Sequence, residues 1–421
     1  MFGTRGAGNT RGLSEDYLHT VEAFALALRR LKPGGWLSVT SPVDLPPRAA
    51  LKLAATARAA LAASGARDPA DHLVLIRGMS TVTLLVKRAR VTLLDAVSVR
   101  LFAVARAFDL VHLPGMAPDR ANRRNRLAGP VYFDAVRALL GVERDRFIAG
   151  YKFDIAPATD DRPYFHSFFN WAALPELLAL GPTGGAALLE LGELILVATL
   201  VQAAVLSLAL VLLPLRARRY RGKPGRLAWR FGIYFTALGL AFFFVEIAWI
   251  QKFVLFLGHP LSAVAVVLTG FLIFAGLGAG ASAALERRLE RMQVSAIDVA
   301  VAGIAVTALL YLALLPPLFE ALSGLSGAWR VAVALALIAP LAFFMGMPFP
   351  LGLTRVARTD PDFVPWAWGL NGCASVVSAA ASTLLTMHLG FSAVVMIAVA
   401  IYLLAALAMR PGVTRAASSA A

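Results

Sequence analysis

Seven long apolar runs constrain the fold of this chain more than any other feature of the sequence. Six of them contain no charged residue, and the remaining one, Phe231–Ile250, contains Glu246 as its single charged residue. A membrane-spanning helix needs about 20 mainly apolar residues, whereas an apolar run of about 10–14 is more typical of a buried soluble helix. The sequence therefore predicts an all-α polytopic membrane domain of about seven transmembrane helices. The runs are Leu194–Leu215, Phe231–Ile250, Leu261–Leu285, Val299–Leu318, Val331–Leu353, Trp366–Met387 and Phe391–Met409.

The distribution of basic residues sets a preferred orientation for these helices. The formal net charge is +15, and basic segments at 216–230, 287–291, 355–358 and 410–415 share one side if seven helices cross. Positively charged loops favour the cytoplasm, so we expect these segments inside. The same count puts residues 1–180 outside, unless the first apolar run does not cross fully. Nucleic-acid binding is not expected, because the basic residues are dispersed and no aromatic stacking platform accompanies them.

The first 92 residues have the pattern of the end of an α/β domain. Ser14 is expected to cap an amphipathic helix that runs to Leu31, and Trp36–Thr40 is a predicted strand. A second helix over Pro47–Ala63 leads to two β-rich runs that Gly78-Met79-Ser80 joins as a hairpin. This order is typical of the closing half of a doubly wound sheet. The hairpin strands are His72–Arg77 and Thr81–Lys87.

Several motifs occur in a fixed order along the chain. Residues 13–24 read Leu-Ser-Glu-Asp-Tyr-Leu-His-Thr-Val-Glu-Ala-Phe, residues 31–37 read Leu-Lys-Pro-Gly-Gly-Trp-Leu, and residues 157–165 read Pro-Ala-Thr-Asp-Asp-Arg-Pro-Tyr-Phe. The ordered set resembles bacterial polytopic membrane proteins of the spermidine synthase-like, class I methyltransferase-like family. The membrane segments that also resemble this family lie at 244–248, 255–260, 347–352 and 365–372.

The resemblance implies a division of the chain into four parts. Residues 1–92 would be the C-terminal half of a Rossmann-like methyltransferase fold, and residues 93–185 a family-specific extension that ends in the Pro157–Phe165 segment. Residues 186–411 would be the helical membrane domain and residues 412–421 a flexible tail. The chain is thus interpreted as the C-terminal part of a longer protein of the bacterial inner membrane.

The same resemblance implies a transferase in which this chain lacks the cofactor site. Aminopropyl and methyl transfer in this fold use a glycine-rich turn after the first strand and an acidic residue that binds the ribose. Gly3–Gly12 is rich in glycine, but no strand precedes it. We therefore expect no cofactor-binding residue here and no independent enzyme. S-adenosylmethionine or its decarboxylated form would bind to a full-length relative, and the missing N-terminal half or a separate partner chain would supply the site.

Asp160, Asp161 and Arg162 are the candidates for catalysis. Two adjacent carboxylates raise the pKa of one of them, which suits acid/base chemistry or the binding of an amine. The alternative is structural, because an Asp at a turn commonly caps a helix and an adjacent Arg can neutralise it. No metal ligands are expected, since the histidines are scattered and Cys373 is the only cysteine.

Glu246 is the most informative residue of the apolar runs. An ionisable group at membrane depth costs several kcal/mol unless it is paired or faces a cavity. We expect it to face the helix bundle, near Asn371 or Ser375 of the sixth run. That run carries a polar stripe, which more often mediates helix packing than transport. The intramembrane polar candidates are Glu246, Gln251, Lys252, His259, Asn371, Ser375 and Ser378.

Two functions remain open on these observations. The first is an integral membrane protein related to the spermidine synthase-like proteins, with a connection to polyamine or methyl transfer. The alternative is a transporter or channel-like carrier for an amine or another small solute, with Glu246 and the polar face of the sixth helix along its path. Both have the lipid bilayer as a partner, and the second has a small amine as its ligand.

Overall fold

The chain forms two compact units, Met1–Ile195 and Leu196–Ala421. The computed structural model describes residues 11–179, 191–209, 213 and 225–410. Each unit has its own hydrophobic core. Most of the glycine-rich stretch Gly3–Gly12 and the expected tail at 412–421 lie outside the described residues, as does Arg219 of the first basic segment.

The first unit combines a small sheet with short helices. Its strands are β1 (Trp36–Pro42), β2 (Leu73–Arg77), β3 (Thr81–Lys87) and β4 (Asp109–His112). Its helices are α1 (Val21–Arg30), α2 (Ala49–Ala63), α3 (Leu93–Ala105), α4 (Val131–Leu140), α5 (Arg144–Gly150) and α6 (Leu174–Ala179). Helix α7 (Leu191–Ser207) crosses the boundary between the units. The predicted strand at 36–40, the second helix and the hairpin are therefore confirmed.

The sheet has the strand order β1-β3-β2-β4, and all neighbouring pairs are antiparallel. Because β3 is antiparallel to both β1 and β2, these two strands run parallel to each other, and α2 connects them. The result is a split β-α-β unit with the returning hairpin strand inserted between its two parallel strands. A complete Rossmann fold is not present in the described part of the chain, which has this four-stranded sheet only.

The first helix begins later than its sequence pattern predicted. Thr20, not Ser14, is the N-cap, and its Oγ1 atom accepts a hydrogen bond of 3.2 Å from the amide of Ala23. Asp16 caps the preceding short 3₁₀ turn at Tyr17–His19 instead. Glu15 and Asp16, which would stand in the first turn of a helix capped by Ser14, therefore precede α1. Helix α1 buries Phe24 and Leu28, as the apolar spacing predicted.

One hydrophobic core joins the two segments into which the sequence divided this unit. Buried residues of α2 pack with Leu75 and Leu84 of the sheet, and also with Val136 and Phe165 from the second segment. Residues 1–92 and the described part of residues 93–185 thus share a core. The Pro157–Phe165 segment is an integral part of that core.

The second unit is helical, and six helical segments of its described part are long and apolar enough to cross a membrane. The predicted number of about seven transmembrane helices is therefore reduced to six in the described part of the chain. The first apolar run contributes α7, which has 17 residues and falls short of the required length, and the rest of that run lies largely outside the described residues. The helices are α8 (Arg226–Leu257), α9 (Pro260–Glu290), α10 (Ala296–Ala321), α11 (Gly327–Gly346), α12 (Pro348–Thr359), α13 (Val364–Leu389) and α14 (Phe391–Met409).

Proline and glycine residues shape this bundle. Because proline interrupts the hydrogen bonds of a helix, Pro348 and Pro350 predict a helix end near Gly346. Helix α11 does end there, and α12 continues the same span. A side chain at Gly278 would collide with the carbonyl group of Phe343, so glycine permits the close approach of α9 and α11. In the sequence Gly276-Leu-Gly-Ala-Gly280, which lies inside an apolar run, Gly278 is thus the residue that serves helix contact. Helix α8 is central and packs against α9, α13 and α14.

Candidate functional site

The Asp160-Asp161 pair lies at the tip of a tight turn in the first unit. The amide of Arg162 donates to the carbonyl of Thr159 at 2.9 Å, which closes the turn. Asp160 Oδ1 accepts a hydrogen bond of 2.7 Å from Thr20 Oγ1, and the Asp160 amide donates to Glu22 Oε2 at 2.9 Å. The turn is thereby attached to the beginning of α1. This geometry favours the structural role of the pair over acid/base catalysis. The catalytic role stays a prediction.

Arg162 binds a different carboxylate. Its guanidinium contacts Asp154 Oδ2 at 2.5 Å, and the Nζ atom of Lys52 lies 3.8 Å from the same oxygen. Asp154 also accepts a hydrogen bond from the amide of Ala156 at 3.0 Å. Arg162 therefore anchors the segment through Asp154, whereas Asp160 binds the beginning of α1.

Lys52 is a buried cation that the sequence pattern did not reveal. Its side chain is only 1% exposed, and Nζ donates to the carbonyl of Ser167 at 2.5 Å and to that of Tyr164 at 3.3 Å. Nζ also lies 5.2 Å from the centroid of the Phe168 ring. The sequence offers one signal for this burial, because α2 is rich in alanine and has no broad polar face on which Lys52 would be exposed. Lys52 ties α2 to the loop that follows the Pro157–Phe165 segment.

Asp16, His19 and His166 form a cluster of titratable groups. Asp16 Oδ2 lies 2.7 Å from His19 Nδ1 and 3.2 Å from His166 Nε2, and the His19 ring stacks on Phe165 at 4.8 Å. Burial opposes ionisation of the carboxyl, but the hydrogen bonds from the two histidines outweigh it and hold the pKa of Asp16 below its usual range. Sequence spacing could not reveal this cluster, because His166 is far from the other two residues along the chain.

Glu246 is buried in the middle of the membrane unit. Its residue surface is 4% exposed, and Val245 and Ala248 beside it on α8 are completely buried. Among the described residues no hydrogen-bond or ion-pair partner of Glu246 is found. Glu246 is therefore buried within the helix bundle, as the sequence predicted.

Two further polar atoms on α8 and α13 are buried without a partner among the described residues. The indole Nε1 of Trp249 is one, and Trp249 follows Glu246 by three residues, so both lie on the same side of α8. The hydroxyl of Ser382 on α13 is the other, and its residue is completely buried. The interior of this unit thus contains polar groups whose hydrogen-bonding capacity is not used.

The polar stripe on α13 mainly mediates helix packing. Asn371 Nδ2 donates to the carbonyl of Phe235 at 3.2 Å, and Ser378 Oγ donates to that of Leu240 at 2.6 Å. Ser375 donates to the carbonyl of Asn371 within its own helix at 2.9 Å. The carbonyls that Asn371 and Ser378 bind lie on α8 about 16 and 9 Å before residue 246, at 1.5 Å per residue. The expected proximity of Asn371 or Ser375 to Glu246 was therefore wrong.

The remaining intramembrane candidates lie toward the end of α8. Gln251 is buried, and the Nζ atom of Lys252 lies 5.6 Å from the centroid of the Phe391 ring at the beginning of α14. His259 is the N-cap residue of α9, without a side-chain cap hydrogen bond. Lys252 and His259 therefore belong to helix ends, whereas Glu246 belongs to the interior.

Comparisons with known proteins add no assignment. No family model, no curated protein and no solved structure among those compared matches the chain. Among the described residues, no group of three or more His, Cys, Asp or Glu side chains could hold a metal ion. The two units themselves therefore provide the observations that bear on function.

Proposed function

We propose that this chain is the C-terminal part of a multi-pass membrane protein related to the spermidine synthase-like, methyltransferase-like family. The split β1-α2-β2 unit carries the proposal. Parallel strands need a crossover connection, usually an α-helix, and such β-α-β units build α/β domains. The hairpin that follows supplies the inserted strand, and the element order agrees with the helix, strand, helix and hairpin that the sequence predicted.

The second support is the attachment of the Pro157–Phe165 segment. Asp16 donates its amide hydrogen to the carbonyl of Pro163 at 2.7 Å, and the Val21 amide donates to Ala158 at 2.9 Å. The motif at 13–24 and the motif at 157–165 thus contact each other, although they are far apart in the sequence. Two motifs of one family pattern that contact each other support a common functional unit.

We further propose that group transfer needs residues that this chain does not contain. The glycine-rich turn and the ribose-binding acid would come from an N-terminal half or a partner chain, which would also supply the site for S-adenosylmethionine or its decarboxylated form. The two motif-bearing segments of the described unit would then close that domain and connect it to the bacterial inner membrane.

Calorimetry tests this proposal directly. We expect no saturable binding of S-adenosylmethionine or decarboxylated S-adenosylmethionine to the purified chain, and binding at micromolar ligand when the coding region upstream is added. Micromolar binding to the chain alone would refute the missing cofactor site. Lack of binding by the extended protein would refute the relationship to the transferases.

A carrier for a small amine is the second candidate, and the burial of Glu246 favours it. An unpaired carboxylate at membrane depth is costly, so a cationic ligand or a proton would stabilise it there. The unused hydroxyl of Ser382 supplies a further acceptor in the same unit. A primary ammonium group carries a positive charge and donates three hydrogen bonds, which the Glu246 carboxylate and a hydroxyl oxygen can accept, whereas the indole N–H of Trp249 can only donate.

Uptake of radiolabelled putrescine or spermidine by proteoliposomes tests the carrier. Glu246→Gln keeps the shape of the side chain and removes its charge, so uptake should fall at least tenfold while the protein remains folded. Glu290→Gln is the matched control, because Glu290 is exposed at the end of α9. Equal uptake by wild type and Glu246→Gln, or no uptake by the wild type, would eliminate this function.

A further inference from the structure

A groove of about 560 Å³ in the first unit is lined by arginine side chains. Arg29 belongs to the last turn of α1, Arg67 follows α2, and Arg88 and Arg90 follow β3. We call this feature the arginine groove. Four guanidinium groups from three separate parts of the chain therefore line one concave surface.

The arginine groove has an excess of positive charge. Arg90 pairs with Asp68 at 2.8 Å and lies 3.9 Å from Asp71. Arg29, Arg67 and Arg88 have no hydrogen-bond or ion-pair partner among the described residues, and no Asp or Glu is found among the described lining residues. At least three positive charges in the groove are thus left without a counter-charge.

Helix capping does not account for these arginines. The last carbonyl groups of α2 are already bound, since the amides of Ser64, Gly65 and Ala66 donate to the carbonyls of the preceding turn. At the end of α1 the amide of Leu31 donates to the carbonyl of Ala27 in the same way. The negative end of the α1 dipole can attract Arg29, which lies in the last turn of that helix. Arg67 and Arg88 lie in loops, so the dipole of their own helix does not account for them.

We propose that the arginine groove binds an anionic ligand through a phosphate group. Guanidinium groups bind phosphate oxygens through paired hydrogen bonds and remain charged at every physiological pH, so a cluster with three guanidinium groups that lack a counter-charge selects phosphate over a neutral solute. The volume lies within the usual range for small-ligand sites. The phosphate belongs either to a soluble phosphorylated compound or to a lipid headgroup, and the chemistry of recognition is the same.

Inorganic pyrophosphate is the probe for this site. We expect saturable binding to the full chain in phosphatidylcholine nanodiscs, measured by calorimetry. The groove variant Arg29→Gln/Arg67→Gln/Arg88→Gln should bind at least tenfold more weakly. The control variant Arg30→Gln/Arg120→Gln/Arg146→Gln removes the same charge from exposed arginines outside the groove and should bind within twofold of the wild type.

Lipid composition separates the two sources of phosphate. Nanodiscs that contain phosphatidic acid are compared with nanodiscs of equal charge that contain cholesteryl hemisuccinate, an anionic lipid without phosphate. Weaker pyrophosphate binding only with phosphatidic acid assigns the groove to a lipid headgroup, and equal binding assigns it to a soluble phosphate. Absence of saturable binding by the wild type, or equal binding by the groove and control variants, would overturn the proposal.

Discussion

A Cβ atom at Gly239 on α8 would lie 2.9 Å from the Cβ atom of Ala374 on α13 and would also collide with the carbonyl group of Asn371. Both helices are therefore in backbone contact at this point, and a glycine is required there. Asn371 and Ser378 bind α8 on either side of the contact. The polar stripe of α13 depends on the close approach that Gly239 permits.

Gly239→Ala should lower the free energy of unfolding by about 1–3 kcal/mol, because the added methyl group has no space and the two helices must separate. Urea-induced unfolding in detergent micelles measures the change. Gly276→Ala on α9 is the control, since nothing lies within 4 Å of its new Cβ atom. The control should unfold like the wild type or be more stable. Equal effects of the two substitutions would contradict the helix contact.

Lys52→Met should destabilise the first unit by about 2–4 kcal/mol, because the carbonyl groups of Tyr164 and Ser167 lose their buried donor. The matched substitution Lys152→Met breaks an exposed pair with Glu176 and should cost about 0–1 kcal/mol. Chemical unfolding of both variants checks the difference. A value near zero for Lys52→Met would mean that water replaces the ammonium group without loss.

Asp16→Asn should cost about 1–3 kcal/mol near neutral pH and progressively less in acid. The pKa of Asp16 in the folded chain lies below the ordinary value of 3.8, so the carboxylate contributes fully well above pH 3.8. Its contribution is lost as the pH falls through 3.8 toward the lowered pKa. Unfolding measured between pH 7 and pH 3 should therefore show the two proteins converging.

Asp145→Asn provides the comparison for that pH series. The Asp145 side chain is 84% exposed, and its one ion-pair partner among the described residues is its neighbour Arg144. Its stability should differ little from the wild type at every pH, because exposed pairs contribute little. If wild type and Asp16→Asn kept a constant difference down to pH 3, the two histidines could not be stabilising the Asp16 carboxylate.

The basic ends of the membrane helices should share the cytoplasmic side. The structure brings several of these ends together, since Arg230 Nε donates to the carbonyl of Ala408 at 2.8 Å and Arg410 pairs with Asp298 at 3.3 Å. In a Cys373→Ser background, Met292→Cys and Thr359→Cys should be labelled from the same side. Gly324→Cys, at the other end of α10, should be labelled from the opposite side. Equal accessibility of all three would contradict the six alternating spans.

The sequence allowed prediction of the elements that depend on local patterns. The hairpin at 72–87 and the helix break before Pro348 follow from turn residues and from the chemistry of proline, and both are present. The beginning of α1 was misplaced, because Asp16 binds His166 and so belongs to a contact that no local pattern contains. Lys52 was missed for the same reason, since its partners lie more than 100 residues away.

The Glu246 region shows the same limit within the membrane unit. Its apolar surroundings predicted a buried carboxylate, and it is buried. Its neighbours could not be predicted, because the rotation and offset of α8 against α13 depend on packing at Gly239. Asn371 and Ser375 were therefore placed near Glu246, although Asn371 binds Phe235, about three helical turns earlier.

The insertion of β3 between β1 and β2 has a consequence for synthesis on the ribosome. Strand β3 is the last of the three in the chain, yet it is the only one that pairs with both of the others. Until Lys87 has been translated, β1 has no partner in the described sheet, and at about 5–20 residues per second this interval lasts a few seconds. During that time the edge of β1 is open to pairing with other nascent chains. The split arrangement thus makes the yield of folded protein sensitive to translation speed and chaperone supply, even where the final stability is unaffected.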